Sequence, residues 1–151
     1  MKWIALLVLA ACGSKPPPPT TPPPPVATAV LPDVPFDQLD PEQQVQFMKQ
    51  KVVPAMKPMF QNHDGKKFAE FGCKTCHGKQ VDDGHYDMPN AELPKLVFKE
   101  FKAGTSKFAK ADVEWMAKEV KPTMAKLLQL PEFTPDRPNG FACNACHPTE
   151  E

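Results

Sequence analysis

Several things are scarce in this sequence, and each scarcity narrows what it does. Eighteen basic side chains are balanced by eighteen acidic ones, for a formal net charge of zero. The basic excess typical of a nucleic-acid binder is therefore missing, and no nucleic-acid partner is expected. The longest apolar run, Trp3 to Ala11 (WIALLVLAA), has nine residues, against about 20 for a membrane-spanning helix. No stretch alternates apolar and polar residues as a half-buried strand does, so little or no sheet is expected. Nucleophile elbow, phosphate loop and flavin fingerprint are all lacking, and no catalytic residues are assigned. At 151 residues the chain has room for one modest domain.

Proline and cysteine are what is abundant. Ten of the 20 prolines fall between Pro16 and Pro35, a composition that buries no core and favours extended polyproline II. Five cysteines are an odd number, which leaves one to explain apart from any pairs.

The first cysteine ends the apolar run. Met1-Lys2 followed by Trp3–Ala11 has the layout of a signal peptide, and Leu9-Ala10-Ala11-Cys12 has the form of a bacterial lipobox. Residues 1–11 are read as the signal peptide and Cys12 as the lipidated residue. A simple signal peptide cut at another alanine is the alternative. Acyl chains on Cys12, at about 0.8 kcal/mol per buried CH₂, anchor a protein without a transmembrane helix. Residues 12–35 then form a Pro-rich tether, reaching roughly 70 Å at about 3.1 Å per residue. Gly13 stands where enterobacterial inner-membrane lipoproteins carry Asp, which points to the outer membrane, with the domain at residues 36–151 on the periplasmic side.

The other four cysteines form two copies of one motif. Cys73-Lys74-Thr75-Cys76-His77 and Cys143-Asn144-Ala145-Cys146-His147 are both C-x-x-C-H, each preceded two residues earlier by Phe71 or Phe141. Two thiols three positions apart on a helical turn reach the two vinyl groups of one haem, and the adjoining histidine reaches its iron. At this chain's Cys and His frequencies a chance copy arises on the order of 0.004 times per chain. Two covalently bound haem c groups are therefore expected, on Cys73 and Cys76 and on Cys143 and Cys146, with His77 and His147 as proximal ligands. A Cys₄ zinc site is the alternative, but 66 residues lie between Cys76 and Cys143, where zinc motifs commonly leave about 15–20. Disulfides within each pair close loops too small to stabilise much.

The chain also repeats itself. Val45–Phe60 (VQFMKQKVVPAMKPMF) aligns with Val113–Leu128 (VEWMAKEVKPTMAKLL) at an offset of 68. Val45, Met48, Val52, Met56 and Met59 form one helical stripe, as do Val113, Met116, Val120, Met124 and Leu127. Asp40-Pro41-Glu42-Gln43 supplies an N-cap, an N1 proline and an N3 partner. Pro54 and Pro122 are expected to kink or break the two helices. The fold expected is mainly α: a small multihaem cytochrome of two tandem helix–loop–C-x-x-C-H units.

Little chain follows His147 in this sequence, so its distal ligand is sought upstream. By symmetry Met56 is the distal candidate for His77 and Met124 for His147, with Met48 and Met116 in reserve. Core filling is the plain alternative for all four. His63, in Asn62-His63-Asp64-Gly65, and His85 read as turn or loop residues without counterparts in the other unit. Met88-Pro89 follows His77 too closely to pass easily round a haem edge.

A methionine-bearing helix, a loop and C-x-x-C-H, in tandem on a lipid-anchored chain, resemble the haem-binding units of the photosynthetic reaction-centre cytochrome subunit family. The likeness covers Val45–His77 and Val113–His147 and rests on the order of parts. That family commonly has four such units; this chain has two. The resemblance implies electron transfer with Met/His-ligated iron, carried here by Met56, Cys73, Cys76 and His77, then Met124, Cys143, Cys146 and His147. Six-coordinate iron leaves no position for a substrate, so the expected role is a lipid-anchored electron carrier between periplasmic or membrane redox proteins. A haem enzyme or small-ligand sensor with one open iron, or a zinc-binding structural lipoprotein, is the alternative. Lys95–Lys126 holds eight lysines against four acids, a candidate docking face for acidic partners.

Overall fold

The computed structural model describes residues 30–150. The signal segment, Cys12 and most of the tether lie outside the described residues. Helical turns cover 52% of what is described and strand or bridge 7%, so the fold is mainly α.

Two long helical segments dominate. The first begins at α1 (Pro41–Phe47), where Asp40 accepts the Gln43 N–H at 2.8 Å and the Gln43 side chain accepts the Asp40 N–H at 3.2 Å. This is the capping box expected from the sequence. It continues through a π turn at Met48–Val52 into α2 (Val53–His63). The second segment runs through α5 (Lys110–Trp115), a π turn at Met116–Val120 and α6 (Lys121–Leu127). The short helices α3 (Cys73–His77) and α4 (Phe98–Ala103) lie between the two.

The prolines explain the π turns. Pro54 and Pro122 have no N–H to give, and in an α-helix their rings collide with the carbonyl four residues back. Instead the preceding Val53 and Lys121 donate five residues back, to the Met48 and Met116 carbonyls. The turn widens and the helix goes on. The helices therefore do not break: each proline is accommodated by a one-turn π insertion, present at the same place in both copies of the repeat.

The two helical segments pack antiparallel. Phe60 in α2 meets Trp115 in α5 with ring centroids 4.9 Å apart. His63 Nε2 lies 2.8 Å from Asp112 Oδ1, and its ring stacks on Trp115 at 3.8 Å. At the other end the first π turn packs against α6, and Phe36 N–H donates to the Leu128 carbonyl at 3.0 Å. His63 is therefore the last residue of α2, held by α5, and not part of a turn.

The core lies in this helix pair. Leu39, Phe47, Val52, Met56, Phe60, Phe71 and Leu128 are buried together, with Trp115, Met116, Val120 and Met124 packed against them. Leu31 and Val34, between prolines, also pack there, and Gln129 Nε2 donates to Asp33 Oδ1 at 2.7 Å. The last residues of the Pro-rich segment thus lie on the domain. One small sheet is present: β1 (Leu96–Val97) pairs in parallel with β2 (Thr149–Glu150). No described helix is long and apolar enough to cross a membrane.

Candidate haem-attachment sites

The first motif is a helix in its own right. Residues Cys73–His77 are α3, entered from Gly72. Thr75 Oγ1 accepts the Gly72 N–H at 3.0 Å, and the Gly72 carbonyl accepts the Thr75 N–H at 3.0 Å. The helix closes when Gly78 N–H donates to the Lys74 carbonyl at 3.0 Å. Gly78 has φ +72°, and a Cβ there meets Asn90 Nδ2 at 2.9 Å. The backbone conformation favours glycine, and any Cβ must push aside the Asn90 amide.

The second motif is a shorter turn. Cys143–Ala145 form a 3₁₀ turn, extended by His147 N–H donating to the Cys143 carbonyl at 2.9 Å. Ala145 stands where the first motif has Thr75 and cannot cap. Pro148 stands where it has Gly78 and has no N–H to extend the turn. Its support comes from either side. Phe141 N–H donates to the Pro131 carbonyl at 2.7 Å, and its carbonyl accepts the Phe133 N–H at 3.0 Å. A Cβ on Gly140 collides with the Glu132 and Phe133 backbone, so this loop closes only with glycine.

The segment after the first motif holds the second. Asn90 N–H donates to the Cys146 carbonyl at 3.0 Å, and His147 Nδ1 donates to the Pro94 carbonyl at 2.9 Å. Leu96 N–H donates to the Pro148 carbonyl at 2.9 Å, after which β1 and β2 pair. Lys95 and Glu150 add an ion pair of 2.7 Å. Asn90 Nδ2 also reaches the Cys76 carbonyl at 2.9 Å. The two motifs, far apart in sequence, are thus brought together by one strap.

The four cysteines are free thiols. Burial pushes the Cys76 thiol up to about 12, with Cys146 and then Cys73 adding to the rise. Burial, and secondarily Cys143, pushes Cys146 up to about 11. Both remain protonated at neutral pH. Burial also holds His77 below the usual histidine range, opposed by the Tyr86 backbone. Its Nδ1 is buried and makes no well-formed hydrogen bond among the described residues, while the Tyr86 ring meets the imidazole edge-on at 5.6 Å. The neutral imidazole is the form that binds a metal.

The distal candidates lie in the helix pair. Met56 is 2% exposed, among the most buried residues described. Met124, Met48, Met116 and Met59 pack against the same cluster. Phe71, two residues before Cys73, belongs to that cluster, and Phe141, two before Cys143, packs against it. Met56 and Met124 each follow the proline that widens their helix by two residues. His85 is exposed in a loop and Met88 half-buried. Among the described residues, no three His, Cys, Asp or Glu side chains converge as a metal-holding group.

Sequence reasoning missed Asn90, Pro94 and Tyr86. Met88-Pro89-Asn90 carries a turn signal, but nothing local shows that the turn faces the Cys146 carbonyl. Compared with protein families, curated proteins and solved structures, the chain matches none.

Proposed function

We propose that this chain is a lipid-anchored dihaem c-type cytochrome that carries electrons between redox proteins on the periplasmic side of the cell envelope. The observation that carries the reading is the pair of C-x-x-C-H segments, each offering two free thiols and a part-buried histidine. His147 adds a specific support. With Nδ1 donating to Pro94, its Nε2 is the nitrogen left for iron, the arrangement by which proteins orient a ligating imidazole. His77 is kept neutral by burial. A Cys₄ zinc site is less well supported, because the two cysteine pairs lie far beyond the usual zinc-motif spacing and each carries an adjoining histidine that zinc does not require.

In this reading Cys73 and Cys76 hold one haem and Cys143 and Cys146 the other. His77 and His147 are proximal, and Met56 and Met124 are the distal ligands. Bound haem supplies a one-electron ferric/ferrous couple at each motif. The chain's own residues orient the His147 imidazole through the Pro94 carbonyl, and Phe71 and Phe141, two residues before each motif, join or pack against the apolar cluster that holds the methionines. Cys12 anchors the chain, and the Pro-rich segment ahead of Leu31, the first residue packed on the domain, spaces it from the outer membrane. Lys102, Lys107 and Lys126 make no ion pair with any described residue and offer positive charge to acidic redox partners.

A pyridine haemochrome assay on protein matured in a host that attaches haem c tests the reading. Two haems per chain are expected, and none ends it. Carbon monoxide added to the reduced protein tests the carrier role: rapid binding at one haem reassigns the chain as a haem enzyme or small-ligand sensor.

A further inference from the structure

Asn90 is the one buried polar residue among those described, 4% exposed. A buried amide is costly unless its donors and acceptors are paired. Here all four groups are paired. The backbone N–H goes to the Cys146 carbonyl at 3.0 Å and the backbone carbonyl accepts Leu93 N–H at 3.1 Å. In the side chain, Nδ2 donates to the Cys76 carbonyl at 2.9 Å and Oδ1 accepts Glu92 N–H at 2.9 Å. Two of these bonds end on carbonyls of the final motif cysteines, one in each unit. Gly78 leaves the space that Asn90 Nδ2 occupies.

We propose that Asn90 is a positioning residue that clasps the two haem-attachment motifs to each other and so fixes the electronic contact between the groups they hold. The inference rests on the dihaem reading. Capping its own turn needs only Oδ1 and the backbone; the Nδ2 bond to Cys76 serves no local element. The rest of the strap, Pro94 and Leu96, holds the second motif alone. Among the described residues Asn90 alone hydrogen-bonds to both motifs, so its side chain sets their spacing and leaves each motif's own hydrogen bonds intact.

The test is EPR of the oxidised dihaem protein, compared with the summed spectra of two single-haem variants, C73S/C76S and C143S/C146S. The wild-type spectrum is expected to depart from that sum through spin–spin interaction. Asn90→Ala, which removes Nδ2 and keeps the backbone bond to Cys146, is expected to retain two haems per chain and to bring the spectrum to the sum. Asn90→Asp keeps the Oδ1 acceptor, loses the donor to Cys76, and is expected to do the same. A wild-type spectrum equal to the sum overturns the proposal. So do variant spectra identical to wild type, and loss of haem from both variants, since Asn90 then serves folding and not spacing. Fewer than two haems in the wild-type protein overturns the dihaem reading itself, a distinct result from the haemochrome count alone.

Discussion

Cys73–His77 and Cys143–His147 have the same spacing and are held by different means. The first closes an α turn from its own neighbours: Gly72 and Thr75 at its start, Gly78 at its end. The second has Ala145 and Pro148 at the equivalent places, cannot complete that turn, and is held by Pro131, Phe133, Asn90, Pro94 and Leu96. One motif is locally encoded and the other is shaped by tertiary contact. Both copies of the preceding helix, by contrast, reach the same π turn, because each carries the same proline. The repeat is therefore exact where a single residue dictates geometry and diverges where packing can replace a local bond.

The largest effect expected is loss of cofactor. C73S/C76S and C143S/C146S should each halve the haemochrome signal and leave one haem per chain, because the hydrogen bonds that hold each motif do not use the cysteine side chains. Loss of both haems in either variant breaks the comparison, since it would mean that one unit cannot form without the other.

Next come the two glycines, which lie on opposite sides of their motifs. Gly140→Ala forces a Cβ into the backbone of Glu132 and Phe133, and overpacking of this kind costs about 1–3 kcal/mol. Gly78→Ala meets φ +72° with ψ −162°, a region kept almost wholly to glycine and strained by about 1–3 kcal/mol for other residues, but the atoms its Cβ meets are the side-chain ends of Asn90 and Glu92. Thermal unfolding should rank Gly140→Ala as the more destabilised. The reverse order would show that the clasp at Gly78 matters more than the loop that carries Phe141.

The two helices were legible because their signals are local; their antiparallel packing was not. The apolar stripes and the Asp40–Gln43 box lie within a few residues of the elements they specify. Pro54 was legible as a disturbance but not as a π turn. Burial of Val52 before it and Met56 after it favours keeping both sides helical. His63 read as a turn from its Asn, Asp and Gly neighbours. Its helical place depends on Trp115 and Asp112, 49 residues away in the case of Asp112. The strap was the least legible part. The bond from His147 to Pro94 spans 53 residues, and a carbonyl acceptor leaves no mark on residue choice. Leu31 and Val34 were hidden by the prolines around them, though their own apolar character is what packs them on the core.

A smaller effect sharpens the local character of the first motif. Thr75→Ala removes the acceptor for the Gly72 N–H and leaves the second motif untouched. One such hydrogen bond is worth about 0.5–1.5 kcal/mol. The urea midpoint should fall accordingly, and Thr75→Ser, which keeps the hydroxyl acceptor, should fall less. Equal losses would show that Thr75 caps nothing of consequence.

The smallest effect concerns His77, and its sign follows from burial. Burial depresses the folded-state pKa below the ordinary histidine value of 6.5, so the unfolded chain takes up this proton at higher pH than the folded one. Stability therefore rises with pH across that window. The contribution is fully present above 6.5 and is lost as pH falls through the depressed folded value. The imidazole is only part-buried, which limits its size. In haem-free protein, urea midpoints between pH 7.5 and 5.5 should decline with acid, and His77→Gln should flatten that decline. An equally steep decline in the variant would assign the pH dependence to other groups. It would also remove one reason to regard His77 as a neutral imidazole shaped for iron by its own fold.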